Sequence, residues 1–207
     1  MAHKLIEEIV DCNNWRDGDF AKFKTGLLQA DEQFWCRMCV PMIYAHWEGF
    51  VVSSIKEILK HLNELKLKPE NVPTHLVVHC LGDSYKSLSG KQNFQQRVKF
   101  TEKFSETMKS TMEFQTKVES KSNLNSKVLK NLCEIFDFNY AKFSDVLPDI
   151  DRLVNVRNSI AHGENSFLPD AENINLYISS VKSGMDILLG EISTFIENES
   201  YLENTAA

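Results

Sequence analysis

The stretch Trp35–Leu59, WCRMCVPMIYAHWEGFVVSSIKEIL, is apolar almost all the way round a helical wheel. It is far too long for a single strand. It also carries Arg37, His46, Glu48, Lys56 and Glu57, and nowhere does the chain hold a run of about 18 uncharged apolar residues, so no membrane span is expected. A helix with so little polar face is stable only when other elements cover it on most sides. The spacing predicts a long central helix from about Asp31 to Leu67, with Pro41 either kinking it or starting its main portion.

The rest of the chain supplies the cover. With 8 Gly and 5 Pro in 207 residues and long periodic segments, it reads as mostly helical, and one all-α domain is the simplest organisation. Residues 3–29 read as a helix or helix pair interrupted near Asn13–Asp19, with Phe20, Phe23, Leu27 and Leu28 as later apolar positions. KPENVP at 68–73 breaks the chain. Shorter helices are predicted over 74–86 and 91–109, separated by SLSGK, and a polar irregular segment over 114–126 has room for a short strand. Asn125 or Ser126 caps a helix at 127–136, with Val128, Leu129, Leu132 and Ile135 on one face. A helix over Ser144–His162, a loop over Gly163–Asp170 and a last helix over Ala171–Glu199 complete the reading. The 68–126 region is the natural candidate for a helical insertion.

A net charge of -6 and a pI of about 5.6 disfavour a protein that coats nucleic acid through bulk charge, while leaving room for a local basic cleft. The amino-terminal MAHKLIEEIVD lacks the apolar core of a signal peptide, and five cysteines fit free thiols better than a disulfide framework. A cytoplasmic address is expected.

DRLVNVRNSIAHGE, Asp151–Glu164, contains one position that breaks its own pattern. Helical spacing from Ile150 through Leu153 and Val154 to Ile160 and Ala161 calls for an apolar residue at 157, where the chain has Arg157. Residues five apart on a helix sit roughly 140° apart, and residues four apart about 40°, so Arg157 and His162 flank a groove with Asn158 on the histidine's side. Gly163 suits the position after the cap, which places His162 in the last turn, where the helix's partial negative charge favours a cation. A guanidinium beside a histidine suits a phosphodiester: the arginine clamps non-bridging oxygens and the histidine moves a proton. The plainer reading is an arginine that snorkels and a histidine that is a polar helix end. Spacing alone does not decide between them, because five Arg and six His readily produce such a pair by chance.

YAHWEGF, Tyr44–Phe50, places Glu48 and His46 in the most apolar part of the chain. A carboxylate there needs a partner, and Arg157, Arg37 or His162 would serve, either as a structural ion pair or in direct chemistry. Cys36-x-x-Cys39 and His75-x3-His79 imitate a Cys/His zinc pattern. The gap between the pairs is far longer than in a zinc finger, and the cysteines lie in an apolar helix, so no metal is expected. There is no Gly-rich phosphate loop, Gly-x-Ser-x-Gly elbow or His-Glu-x-x-His, and no cofactor is implied. The lysines at 56–68 and 117–130 alternate with glutamates and apolar residues, as on solvated helix faces.

LVNVRNSIAHGE resembles the signature of the HEPN superfamily, all-α domains with an Arg, four to six intervening residues and a His, often with a polar residue just after the Arg. YAHWEGFVVSSIKEIL (44–59) and SNLNSKVLKNLCEIF (122–136) are similar to blocks of one branch, the stand-alone bacterial HEPN endoribonucleases, in that branch's order. The resemblance implies a HEPN-like helical bundle with a metal-independent ribonuclease activity. In such enzymes the substrate's 2′-hydroxyl attacks the adjacent phosphate, leaving a 2′,3′-cyclic phosphate and a 5′-hydroxyl. It assigns Arg157 to the phosphorane, His162 to acid, base or 2′-hydroxyl positioning, and Asn158 to support; Glu48 falls in a resembling block with an orienting role. It also implies a homodimer with one composite cleft, so that position 157 lies at a seam between two copies. RNA is the implied substrate, in toxin or antiphage defence roles that bring in an antitoxin or defence-system partner. Members that have lost activity serve as modules binding RNA, nucleotide or protein.

Overall fold

Asp31 opens the long helix as read from the sequence: its carboxylate accepts the Phe34 N–H at 2.8 Å, satisfying one of the amide groups a helix start leaves unpaired. The computed structural model describes residues 2–27, 31–82, 91–118, 123–165 and 167–203. Among these lie eight α-helices and no strand: α1 Ala2–Asn13, α2 Trp15–Gly26, α3 Glu32–Glu64, α4 Thr74–Leu81, α5 Phe94–Lys109, α6 Ser126–Phe136, α7 Leu147–Ala161 and α8 Ala171–Glu197. The fold is all-α, as expected.

Helix α3 runs unbroken through Pro41, so the proline neither starts nor ends it; it only removes the bond that the Arg37 carbonyl would have accepted. Around α3 pack α1, α7 and α8, which explains why its wheel is apolar on so many sides. Trp47, Ile43, Val40, Ile55 and Ile58 are fully buried, and one contiguous core runs from Leu5 to Tyr201. The approach of α8 is close at Gly184. A Cβ there would sit 3.1 Å from Trp47 Cζ3 and 3.3 Å from Ile150 Cδ1, so glycine is what lets α8 lie against both α3 and α7.

Most predicted boundaries sit within a few residues of the observed ones, and the exceptions have physical causes. The amino-terminal interruption is only Asn14, because the Asn13 side chain bonds the Ile9 carbonyl and accepts Arg16 Nε, stitching α1 to α2. Of the helix expected over 74–86, residues 74–81 form α4; positions 83–86, like Leu28 and most of SLSGK, lie outside the described residues. The strand expected within 114–126 is not found among the described residues. The described part of the segment, 114–118 and 123–125, lacks regular structure, and the backbone at Phe114 is satisfied by a side chain instead of another strand. Asn63, near the end of α3, accepts the Phe114 N–H at 2.7 Å and donates to the Phe114 carbonyl at 2.9 Å, while Met112 N–H bonds the Leu67 carbonyl. The helix expected from Ser144 begins at Leu147, after a 3-10 turn over Tyr140–Phe143, with Pro148 in its first turn, where a missing N–H costs nothing. Asn125 caps α6 by accepting Val128 N–H, and Asp170 and Asn173 form a reciprocal capping box on α8.

Candidate active site

The end of α7 follows from its sequence. Gly163 takes a positive φ of 77°, its N–H bonds the Ile160 carbonyl, and the Glu164 N–H reaches back to the Ser159 carbonyl. This paired closure needs a residue without a Cβ penalty after the cap, and it leaves His162 as the cap itself. The histidine is exposed, and among the described residues its ring has no hydrogen-bond partner. The following loop is tied to α3, because Arg37 donates to the Glu164 carbonyl and to Asn165 Oδ1.

Arg157 occupies its stripe position over an aromatic ring. The buried stripe of α7 consists of Ile150, Leu153, Val154 and Val156, and from Arg157 onward the helix end rises out of the core into half-burial. The Arg157 guanidinium carbon lies 3.8 Å from the centroid of the Tyr44 ring, on α3. An aromatic face accepts a cation and at the same time covers its apolar stem, so the position is filled within the chain itself. Arg157 Nη1 also donates to Asn158 Oδ1 at 2.8 Å, and Asn158 Nδ2 donates to Asn123 Oδ1 at 3.3 Å.

Asn123 is fixed in turn by its neighbour. Leu124 is fully buried, its N–H donates to the Tyr44 hydroxyl at 2.9 Å, and its carbonyl accepts Trp47 Nε1 at 3.1 Å. The contacts therefore close a ring: Tyr44, Leu124, Asn123, Asn158, Arg157 and back to the Tyr44 face. Burial raises the Tyr44 pKa to about 12, with the adjacent Glu48 carboxylate adding to the rise and the Leu124 N–H and the Arg157 charge opposing it. The phenol is therefore neutral through the physiological range.

Glu48 does not form the expected ion pair. No cation stands within 4 Å of it among the described residues; Arg37 is engaged with the loop after His162, and Arg157 stacks on Tyr44 instead. Its neighbour is the Tyr44 hydroxyl, and its Oε1 is buried without a hydrogen-bond partner. His46 points elsewhere, into a cluster with Phe20, Phe23 and Trp15. Arg16 Nη1 lies 3.2 Å from its Nδ1, and since arginine can only donate, Nδ1 accepts and the proton of the neutral ring sits on Nε2, facing Asp19 at 3.5 Å. Burial first, then Arg16, lowers the His46 pKa.

The Cys/His pattern is dispersed. Cys36 and Cys39 lie in the core on α3, with thiol pKa values raised to about 11 mainly by burial, and His79 packs against Phe114 and Phe136. Among the described residues no group of three or more His, Cys, Asp and Glu could hold a metal ion. Sequence reasoning singled out Arg157, Asn158, His162 and Glu48 but not Tyr44 and Asn123, which the fold brings against Arg157 and Asn158. Both lie inside the two resembling blocks, and that membership was the one signal available.

A helical domain built round one long helix, with an Arg-x4-His pair closing a neighbouring helix, defines a protein of the HEPN type. The chain belongs to the RiboL-PSP-HEPN family, whose model matches residues 11–194. That match takes in α2 to α7 whole, most of α8 and only the last turn of α1, and it includes the 68–120 stretch outside the three resembling blocks. No curated protein and no solved structure matches the chain. At the level of the superfamily, membership connects the protein with RNA-related function. No helix among the described residues is long and apolar enough to cross a membrane.

Proposed function

We propose that the protein is a metal-independent endoribonuclease whose catalytic groups are Arg157 and His162. The observation that carries this reading is the contrast between them: Arg157 is braced by Tyr44 and Asn158, while His162 is presented to solvent at the end of the same helix. In the reaction the 2′-oxygen of a ribose attacks the adjacent phosphorus and loses its proton to a base. The 5′-oxygen leaves with a proton, and the products are a 2′,3′-cyclic phosphate and a 5′-hydroxyl. Arg157 neutralises charge on the non-bridging oxygens as the phosphorane forms, and His162 handles one of the two protons. Asn158 holds the guanidinium in plane with the phosphate.

An imidazole without an orienting partner is a poor acid or base, and among the described residues none hydrogen-bonds the His162 ring. We assign that role to a second copy of the chain, giving a composite cleft. An apolar stripe supports this arrangement: Phe34, Met38 and Met42, spaced four apart on α3, are 64%, 55% and 48% exposed, beside the Arg37 link to the His162 loop. A toxin or antiphage role, with an antitoxin or defence partner holding the enzyme in check, accords with this chemistry.

The deciding experiment incubates the purified protein with RNA in EDTA and maps the termini. Cleavage is expected, with Arg157→Ala and His162→Ala each losing on the order of 10²–10³ in rate. A requirement for divalent metal, or cleavage surviving both substitutions, overturns the proposal. The second reading is a catalytically silent module that binds RNA, nucleotide or a partner protein, and the unsupported His162 ring favours it. It predicts RNA retention without turnover.

A further inference from the structure

We propose that Tyr44 is a positioning residue of this site, its aromatic face setting the place of the Arg157 guanidinium. The inference rests on the reading of Arg157 as the phosphate clamp. An arginine side chain has several rotatable bonds, and one that projects from near the end of a helix without a fixed support samples many positions. A clamp for a developing phosphorane has to be in place before the charge appears, since reorganising it during the reaction would cost rate. The Tyr44 ring lies 3.8 Å from the guanidinium carbon and is itself 2% exposed, on the central helix α3. A guanidinium resting on a ring keeps its N–H groups in its own plane, directed away from the stack and toward whatever lies at its edges.

The ring is in turn held at its far end. The Tyr44 hydroxyl accepts the Leu124 N–H, with the Glu48 carboxylate beside it. Through Leu124 the same tyrosine fixes Asn123, which holds Asn158, which accepts from Arg157. Tyr44 therefore meets Arg157 twice, directly through its face and indirectly through the asparagine pair.

Two substitutions separate the face from the hydroxyl. Tyr44→Phe and Tyr44→Leu both remove the hydroxyl and its bond to Leu124, so they share that structural loss. Only Tyr44→Leu removes the ring. In EDTA, Tyr44→Phe is expected to cleave RNA within about threefold of wild type, and Tyr44→Leu to lose about a hundredfold in kcat with KM nearly unchanged. The Arg157 Nε–H resonance, assigned by its disappearance in Arg157→Lys, reports the stack independently of turnover. It should be shifted upfield by the ring current in wild type and in Tyr44→Phe, and should return to the position of a solvated arginine in Tyr44→Leu. Equal activity in Tyr44→Phe and Tyr44→Leu, with wild type active, overturns the positioning role while leaving the nuclease reading intact. An Arg157 resonance that is the same in wild type and Tyr44→Leu overturns the stack itself. A wild type that leaves RNA intact overturns the nuclease reading, and the catalytic sense of this role with it.

Discussion

His46, His61 and His79 all have their pKa lowered from the ordinary 6.5, in each case first by burial. In the unfolded chain these rings take up protons as the pH falls through about 6.5, while the native rings stay neutral until lower pH. The unfolded state then binds more protons, so native stability falls as the medium is acidified below about 6.5. The chemical-denaturation midpoint should therefore be lower at about pH 5.5 than at about pH 7.5, and His79→Gln should flatten the difference. Midpoints that do not move between the two conditions would contradict this account. The same residue-level physics separates these histidines from His162, which stands in water at the end of α7. Three of the described histidines thus serve packing, and their types alone did not announce it.

At the scale of elements, the closest fit in the fold is α8 against α3 and α7 at Gly184. Trp47 is wholly buried and its indole is committed to the Leu124 carbonyl, so it has no room to yield to a new side chain. Gly184→Val is expected to cost about 1–3 kcal/mol of stability through overpacking, read as a lowered denaturation midpoint. A midpoint at or above that of wild type would show that the helices can separate freely. This contact also bears on the site, because Trp47 and Tyr44 hold the carbonyl and the N–H of the same residue, Leu124. Local signals located the elements well. Asn125 and Gly163 act within a few residues of themselves as their types foretold, while Asp31 and Asp170, read only as boundaries, cap their helices as well. The segment near 114 was misread as a possible strand because its partner, Asn63, lies 51 residues away and pairs through a side chain.

For the whole molecule, the exposed stripe of Phe34, Met38 and Met42 belongs to the proposed composite cleft. A second copy covering it would make cleavage and dimerisation rise and fall together. Phe34→Glu combined with Met38→Glu should give a monomer in sedimentation equilibrium and should abolish RNA cleavage, with thermal unfolding little changed, since both residues already face water. A wild type that cleaves RNA as a monomer would sink the composite site. The sequence by itself determined the fold class, through an apolar wheel that only surrounding helices could bury. It also determined the caps, most of the helix boundaries and the Arg157–His162 pair, because periodicity and capping are local properties of the chain. Only the tertiary structure decided what lies under Arg157. The sequence left a carboxylate partner and a seam between copies both open for that position, and the fold placed the face of Tyr44 there, 113 residues earlier in the chain. No local pattern encodes such a contact, because it exists only once α7 has docked on α3.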